Sequence, residues 1–195
     1  SNQGHRYGTS LSEADKGAKL EDSKLVTMGQ GLHVTTGPQV AYWNPSNTAS
    51  GNYSVSATFA EREYMGLNDH PHPYGVFIGG SNLDNDKTTA LYCAAYGRGT
   101  FIARIFGPGV TNLNGRGGTS EAIHKAAAKG ESVEQTIAIS VKGDSVSCSI
   151  NGTVVGTYPK ADVIGAGKLT STDGIVGLRV AHNVDVNVKD FKVTK

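Results

Sequence analysis

Two glutamates, Glu61 and Glu63, stand two apart at the end of an alternating stretch. In an extended backbone both would point the same way, roughly 6.5–7 Å apart. Two carboxylates flanking a bond are what glycoside hydrolysis needs, so the pair is a candidate acid and base. The plainer reading is two solvated charges at a strand end, flanking Arg62. His70-Pro71-His72-Pro73 places two histidines at i and i+2 in a segment that proline holds extended. Side chains at that spacing share a side, and with Asp69 they could ligate a transition metal. The plainer reading is a stiff polar loop. Asn82-Leu83-Asp84-Asn85-Asp86 is rich in side-chain oxygen, and Asn82, Asp84 and Asp86 are candidate Ca²⁺ ligands, a second candidate metal site beside the histidines. The stretch lacks EF-hand spacing and its closing glutamate, and it reads equally as an Asx-rich turn.

A different chemistry comes from Tyr92, Tyr96 and Arg104, with Tyr74 and Trp43 as further members. Aromatic faces stack on sugar rings, and a guanidinium supplies hydrogen-bond donors to hydroxyls. Alternation within Leu91-Tyr92-Cys93-Ala94-Ala95-Tyr96 supports a groove reading, because Leu91, Cys93 and Ala95 make the better core face. The competing reading is ordinary packing of tyrosine in a two-layer core. Cys93 and Cys148 both fall on inward faces of their strands, and neither belongs to a CxxC. They read as free buried thiols, with a disulfide as the alternative if their Cα atoms lie within about 7 Å. Asn52-Tyr53-Ser54 and Asn151-Gly152-Thr153 match the glycosylation pattern, the second being better explained as a hairpin turn.

The elements that must position these residues are short strands. Tyr53, Val55, Ala57 and Phe59 alternate with Ser54, Ser56 and Thr58, which gives one buried and one wet face. Tyr74 to Gly79 is apolar on both faces and reads as a central strand. Thr88–Tyr96 and Phe101–Phe106 form a hairpin through Gly97-Arg98-Gly99. Gly107 to Glu134 is a long glycine-rich break, and Thr119 to Lys129 within it predicts a helical turn ahead of an Ala-rich run. Ser10 to Asp22 predicts another. Val146, Cys148 and Ile150 alternate with Ser145, Ser147 and Ser149, and Asn151-Gly152 then turns the chain into a return strand. Val184, Val186 and Val188 alternate near the end. About a dozen strands without βαβ spacing predict an all-β, two-sheet antiparallel sandwich or a barrel. No repeat or linker divides residues 1–195, so the chain reads as one domain with residues 1–20 as a peripheral segment.

Lys and Arg number 18 against 17 Asp and Glu, and they are scattered, so no electrostatic footprint for nucleic acid is expected. No apolar run approaches the roughly 20 residues of a membrane span, and no membrane insertion is expected. The opening Ser1-Asn2 reads as the start of a processed or trimmed chain, so the lack of a secretory signal there is uninformative.

The second half carries a resemblance. Ile139-Ser140-Val141-Lys142-Gly143 through Ile150-Asn151-Gly152 is followed by Asp173-Gly174-Ile175-Val176-Gly177-Leu178-Arg179-Val180 and by Val186-Asn187-Val188-Lys189-Asp190-Phe191-Lys192-Val193. With Tyr53 to Phe59 and Gly75 to Gly79, these stretches resemble the concanavalin A-like lectin/glucanase superfamily over about residues 20–195. LamG-like modules and the bacterial 3-keto-disaccharide hydrolases are the nearest types. Gly79-Gly80 stands where that hydrolase family usually carries an arginine, and the glucanase E-x-D-x-x-E strand is missing. The resemblance implies a jelly-roll sandwich in a secreted or periplasmic setting. It implies a lectin-like domain that binds a glycan or glycan-derived small molecule, with a hydrolase of the 3-keto-disaccharide type or a LamG-like adhesion module as alternatives.

Overall fold

The computed structural model describes residues 6–9, 24–28, 31–35, 40–65, 73–84, 87–107, 109–181 and 185–195, with the backbone alone before residue 41. The strands in chain order are β1 (Arg6–Thr9), β2 (Lys24–Met28), β3 (Gly31–Thr35), β4 (Val40–Ala49), β5 (Tyr53–Glu61), β6 (Tyr74–Ser81), β7 (Thr89–Tyr96) and β8 (Thr100–Phe106). They continue with β9 (Val110–Asn112), β10 (Gly118–Thr119), β11 (Val133–Lys142), β12 (Ser145–Ile150), β13 (Thr153–Pro159), β14 (Gly174–Val180) and β15 (Asp185–Thr194). Among the described residues one short helix, α1 (Lys160–Val163), interrupts them and sends Val163 into the core. The strands form two antiparallel sheets. One has the order β1-β4-β14-β6-β7-β8-β10, with β9 beside β8; the other is β13-β12-β11-β5-β15-β3-β2.

Alternation decides which residues fill the space between the sheets. From the seven-stranded sheet, Val55, Ala57, Phe59, Ile137, Ile139, Val146 and Ile150 point inward. Tyr74, Val76, Ile78, Leu91, Ile105, Val176, Leu178 and Val180 meet them from the eight-stranded sheet. Burying each large aliphatic or aromatic side chain stabilises the fold by roughly 1.5–3 kcal/mol. The strand predicted to be central is β6, flanked by β14 and β7 and buried along nearly its whole length. The Asn151-Gly152 hairpin also forms, with both residues at positive φ (53° and 85°), as a tight two-residue turn requires. The Asn151 side chain is fully used: it donates to Ala122 O and Gln135 Oε1 and accepts from Thr136 N.

Two expectations are corrected. Cys93 and Cys148 are not free thiols but a disulfide, because β7 and β12 face each other across the core with their Cα atoms 6.1 Å apart. Thr119 to Lys129 is not helical. Its one local backbone bond among the described residues is the turn from Ile123 N to Ser120 O, while Ala126 N donates to Gly97 O in another segment and Ile123 is drawn into the core. An Ala-rich run of three residues cannot offset the cost of nucleating a helix alone. The turn predicted over Ser10 to Asp22 lies outside the described residues.

Candidate functional site

On the face of the eight-stranded sheet turned away from the core, the strand registers align one continuous row. Trp43 on β4 stands opposite Gly177 on β14, which stands opposite Phe77 on β6. Phe77 is opposite Tyr92 on β7, Tyr92 opposite Arg104 on β8, and Arg104 opposite Asn112 on β9. Partners in register share a sheet face, so six strands deliver these side chains to one surface. Alternation along β7 and β8 adds Ala90, Ala94 and Tyr96, then Ile102 and Phe106. This second apolar cluster is separate from the inter-sheet core.

Glycine shapes the row. A Cβ on Gly177 would meet the Phe77 ring at 2.6–2.8 Å and also strike Tyr42 O. Only hydrogen at position 177 lets the Phe77 ring lie over the neighbouring strand. Gly80 makes the same room from the other side, since its Cβ would come within 2.8 Å of Phe77 Cε1. Gly79 beside it holds a left-handed φ of 61°. The Gly79-Gly80 pair is therefore a local need of this sheet.

The polar groups form a linked set. The Arg104 guanidinium donates through Nε to Asn112 Oδ1 at 2.6 Å and through Nη1 to the Tyr92 hydroxyl at 3.4 Å. Arg179 reaches across the face, with its guanidinium carbon 5.3 Å from the Tyr92 ring centre and 5.1 Å from that of Phe106. Arg98 stacks over Tyr96 at 5.0 Å while its Nε donates to Thr100 Oγ1 at 3.1 Å. Burial pushes the Tyr96 hydroxyl above its ordinary pKa, with Arg104 pulling down, Tyr92 pushing up and Arg98 pulling down. Accessibility grades across the row. Trp43 (5%), Phe77 (1%) and Tyr92 (4%) are buried, Tyr96, Arg104 and Phe106 are half-buried, and Arg98 and Asn112 are exposed. The part open to a ligand is thus the β7–β8–β9 edge.

Of the residues proposed from sequence, Trp43, Tyr92, Tyr96 and Arg104 come together here, while Tyr74 does not. Tyr74 shares the inward parity of Val76 and Ile78, packs on Phe59 with ring centres 5.3 Å apart, and is fully buried. Beside it sits Glu61, also pointing inward at the end of β5. Burial pushes the Glu61 carboxyl up to about 7, and the nearby Tyr74 hydroxyl draws it partly back. Neither Glu61 Oε1 nor Tyr74 Oη completes a hydrogen bond. Glu61 also abuts Gly97 and is placed near Gln135, whose side chain donates to His124 O and accepts from His124 N and Asn151 Nδ2. Glu63 is elsewhere: β5 stops at Glu61, and Glu63 is exposed on the bend that follows. The same-face carboxylate pair expected from an extended backbone is therefore not formed.

Asn82 and Asp84 lie on an exposed turn after β6, where Asn82 adopts a φ of 53° and its carbonyl accepts from Thr88 Oγ1 at 2.7 Å. Asp69, His70, His72 and Asp86 lie outside the described residues. Among the described residues no three His, Cys, Asp or Glu side chains gather as a metal site.

Sequence reasoning passed over Arg179, Arg98 and Asn112. The parity of Arg179 was visible, because Val176, Leu178 and Val180 alternate with Gly177 and Arg179. Asn112 carried no signal, since β9 lies in a stretch that reads only as loop.

The fold has known counterparts. A carbohydrate-binding module, CBM66 from Bacillus subtilis, superposes with a TM-score of 0.61 at 7% identity, covering 89% of this chain and 92% of that one. A Bacillus subtilis protein of unknown function with a galectin-like fold gives 0.64 at 16% identity, with 97% of each chain covered. The endo-β-1,3-glucanase of Pyrococcus furiosus gives 0.63 at 12% identity, over 99% and 89%. The chain therefore has the concanavalin A-like sandwich fold expected from its sequence. No family model matches the sequence and no curated protein matches it, so the narrower likeness to 3-keto-disaccharide hydrolases has no matched family behind it.

Proposed function

We propose that this chain is a carbohydrate-binding domain that engages a glycan at the β7–β8–β9 edge of the eight-stranded sheet. One observation carries the reading: Tyr96, Arg98, Arg104 and Asn112 form an accessible aromatic and polar edge beside the rigid row of Trp43, Phe77 and Tyr92. Tyr96 offers a ring for the apolar side of a sugar. Arg104 is held in orientation by Asn112 and Tyr92 and keeps further N–H donors for hydroxyls. Little rotamer entropy is then lost on binding, which favours affinity for a polar ligand. Fold counterparts that include a carbohydrate-binding module and a glucanase support the reading by analogy. The Cys93–Cys148 disulfide supports an oxidising, secreted or periplasmic setting.

The test is a glycan-array screen followed by calorimetry on the best ligand. Tyr96→Ala and Arg104→Ala are each expected to weaken binding at least tenfold while leaving thermal stability near that of the parent. Absence of any glycan ligand, or binding untouched by both substitutions, would overturn the proposal.

A second reading, a glycoside hydrolase of the 3-keto-disaccharide type, is favoured by one feature. A carboxyl titrating at about 7 is suited to general acid catalysis. Glu61 points into the sandwich against Tyr74 rather than onto the Tyr92 face, so the binding reading is preferred.

A further inference from the structure

The outward face of the seven-stranded sheet holds a separate feature that the proposed glycan edge does not use. Where β15 runs beside β5, Lys189 pairs with Thr58 and Lys192 with Ser56, so Asp190 and Phe191 both stand against a single residue of β5. Asp190 sits in the left-handed region at φ 56°. Such a bulge bends the strand and re-aims its side chains. Beside it opens a cavity of about 400 Å³, lined by Ser56, Thr58, Thr136, Asp190, Phe191 and Lys192. That volume lies toward the low end of the roughly 300–1,000 Å³ typical of small-molecule sites.

The lining has a definite chemistry. Thr58 Oγ1 and Thr136 Oγ1 lie 2.9 Å apart and share one hydrogen bond, which leaves one hydroxyl proton and several lone pairs for a ligand. Ser56 adds a hydroxyl that can donate or accept. Asp190 is a pure acceptor and Lys192 a pure donor. Their charges cancel, so the site selects neither an anion nor a cation. Phe191 borders the cavity at the bulge, but its side chain is half-buried and packs against the inter-sheet core with Val193, so the lining is mainly polar. Donors and acceptors interleaved on a neutral floor, with one carboxylate for adjacent hydroxyls, match the hydroxyl-rich rim of a single neutral sugar ring.

We propose that this cavity is a second carbohydrate site, for one uncharged monosaccharide unit, on the sheet opposite the Tyr96–Arg104 edge. Two sites on opposite faces would let one domain hold two segments of a polymer, or two chains, with gain from avidity.

The test is amide NMR titration of the full chain with the methyl glycosides of glucose, galactose, mannose and fructose, and with glycerol as a control. At least one glycoside is expected to give saturable shifts at Ser56, Thr136, Asp190 and Lys192. Asp190→Asn keeps a residue that tolerates the left-handed region and removes the carboxylate. Ser56→Val keeps a strand-favouring residue and removes the hydroxyl. Each should weaken these shifts at least tenfold with the spectrum still dispersed, while Arg104→Ala should leave them unchanged. The proposal is overturned if no glycoside gives saturable shifts there, if glycerol reproduces them, or if both pocket variants bind as the parent does. Shifts confined to the Tyr96–Asn112 edge would sink this site and leave the first reading standing. Shifts confined to the cavity would do the reverse.

Discussion

Replacing Glu61 by glutamine should make the protein more stable at pH 8 and leave it unchanged at pH 4. The side chain is 7% exposed, lies against Gly97 and Tyr74, and has an oxygen without a hydrogen bond. A free glutamate titrates at 4.5, whereas folding raises this one to about 7, chiefly by desolvation. Between those values the native state keeps a proton that the unfolded chain has lost. Stability therefore falls as pH rises through that window and levels off above it. The difference corresponds to about 3 kcal/mol in full. Glutamine preserves shape and neutrality, so it removes the pH-dependent penalty without opening a cavity. The assay is urea unfolding of parent and Glu61→Gln at pH 4, 6 and 8, read as the difference between the two proteins at each pH so that other titrating groups cancel. A gain of about 3 kcal/mol at pH 8, shrinking toward zero at pH 4, is expected. Equal stability of the two proteins at all three values would refute the reasoning, and so would a variant less stable at pH 8.

Reduction of the disulfide, or the Cys93→Ala/Cys148→Ala double variant, should lower stability by about 4 kcal/mol, from the loop-entropy estimate for a 55-residue separation. Denaturant curves with and without reductant check this, and coincident curves would count against the bond. Gly177→Ala should cost roughly 1–3 kcal/mol, because the new methyl must displace Tyr42 O or the Phe77 ring. Gly109→Ala, with nothing within 4 Å, is the control and should be near neutral; equal urea midpoints for the two would show that the row is not packed as described.

Much of this molecule was legible one strand at a time. The period-2 alternation of Tyr53 to Phe59 and of Ser145 to Ile150 named their inward faces, and Asn151-Gly152 named its turn. Alternation also sorted Leu91, Cys93 and Ala95 from Tyr92 and Tyr96, which placed both tyrosines on the right face. Tyr74 was different, although it lies inward with Val76 and Ile78. An all-apolar strand gave it no polar side to contrast with, so its face was hidden.

What local pattern cannot carry is which strands are neighbours and in what register. Backbone hydrogen bonding is indifferent to side-chain identity, so nothing in Trp43, Phe77, Tyr92, Arg104 and Asn112 announces that five strand pairings set them in one row. The closeness of Cys93 and Cys148, 55 residues apart, depends on the same long-range order. So does the parting of Glu61 from Glu63, since β5 ends opposite the first residue of its partner β11. The alternating residues by themselves determined an antiparallel all-β chain, sandwich or barrel, and the face of most side chains, because burial follows a period of two. Only the tertiary structure decided which of those faces meet, because sheet order and register are set by the packing of the whole core.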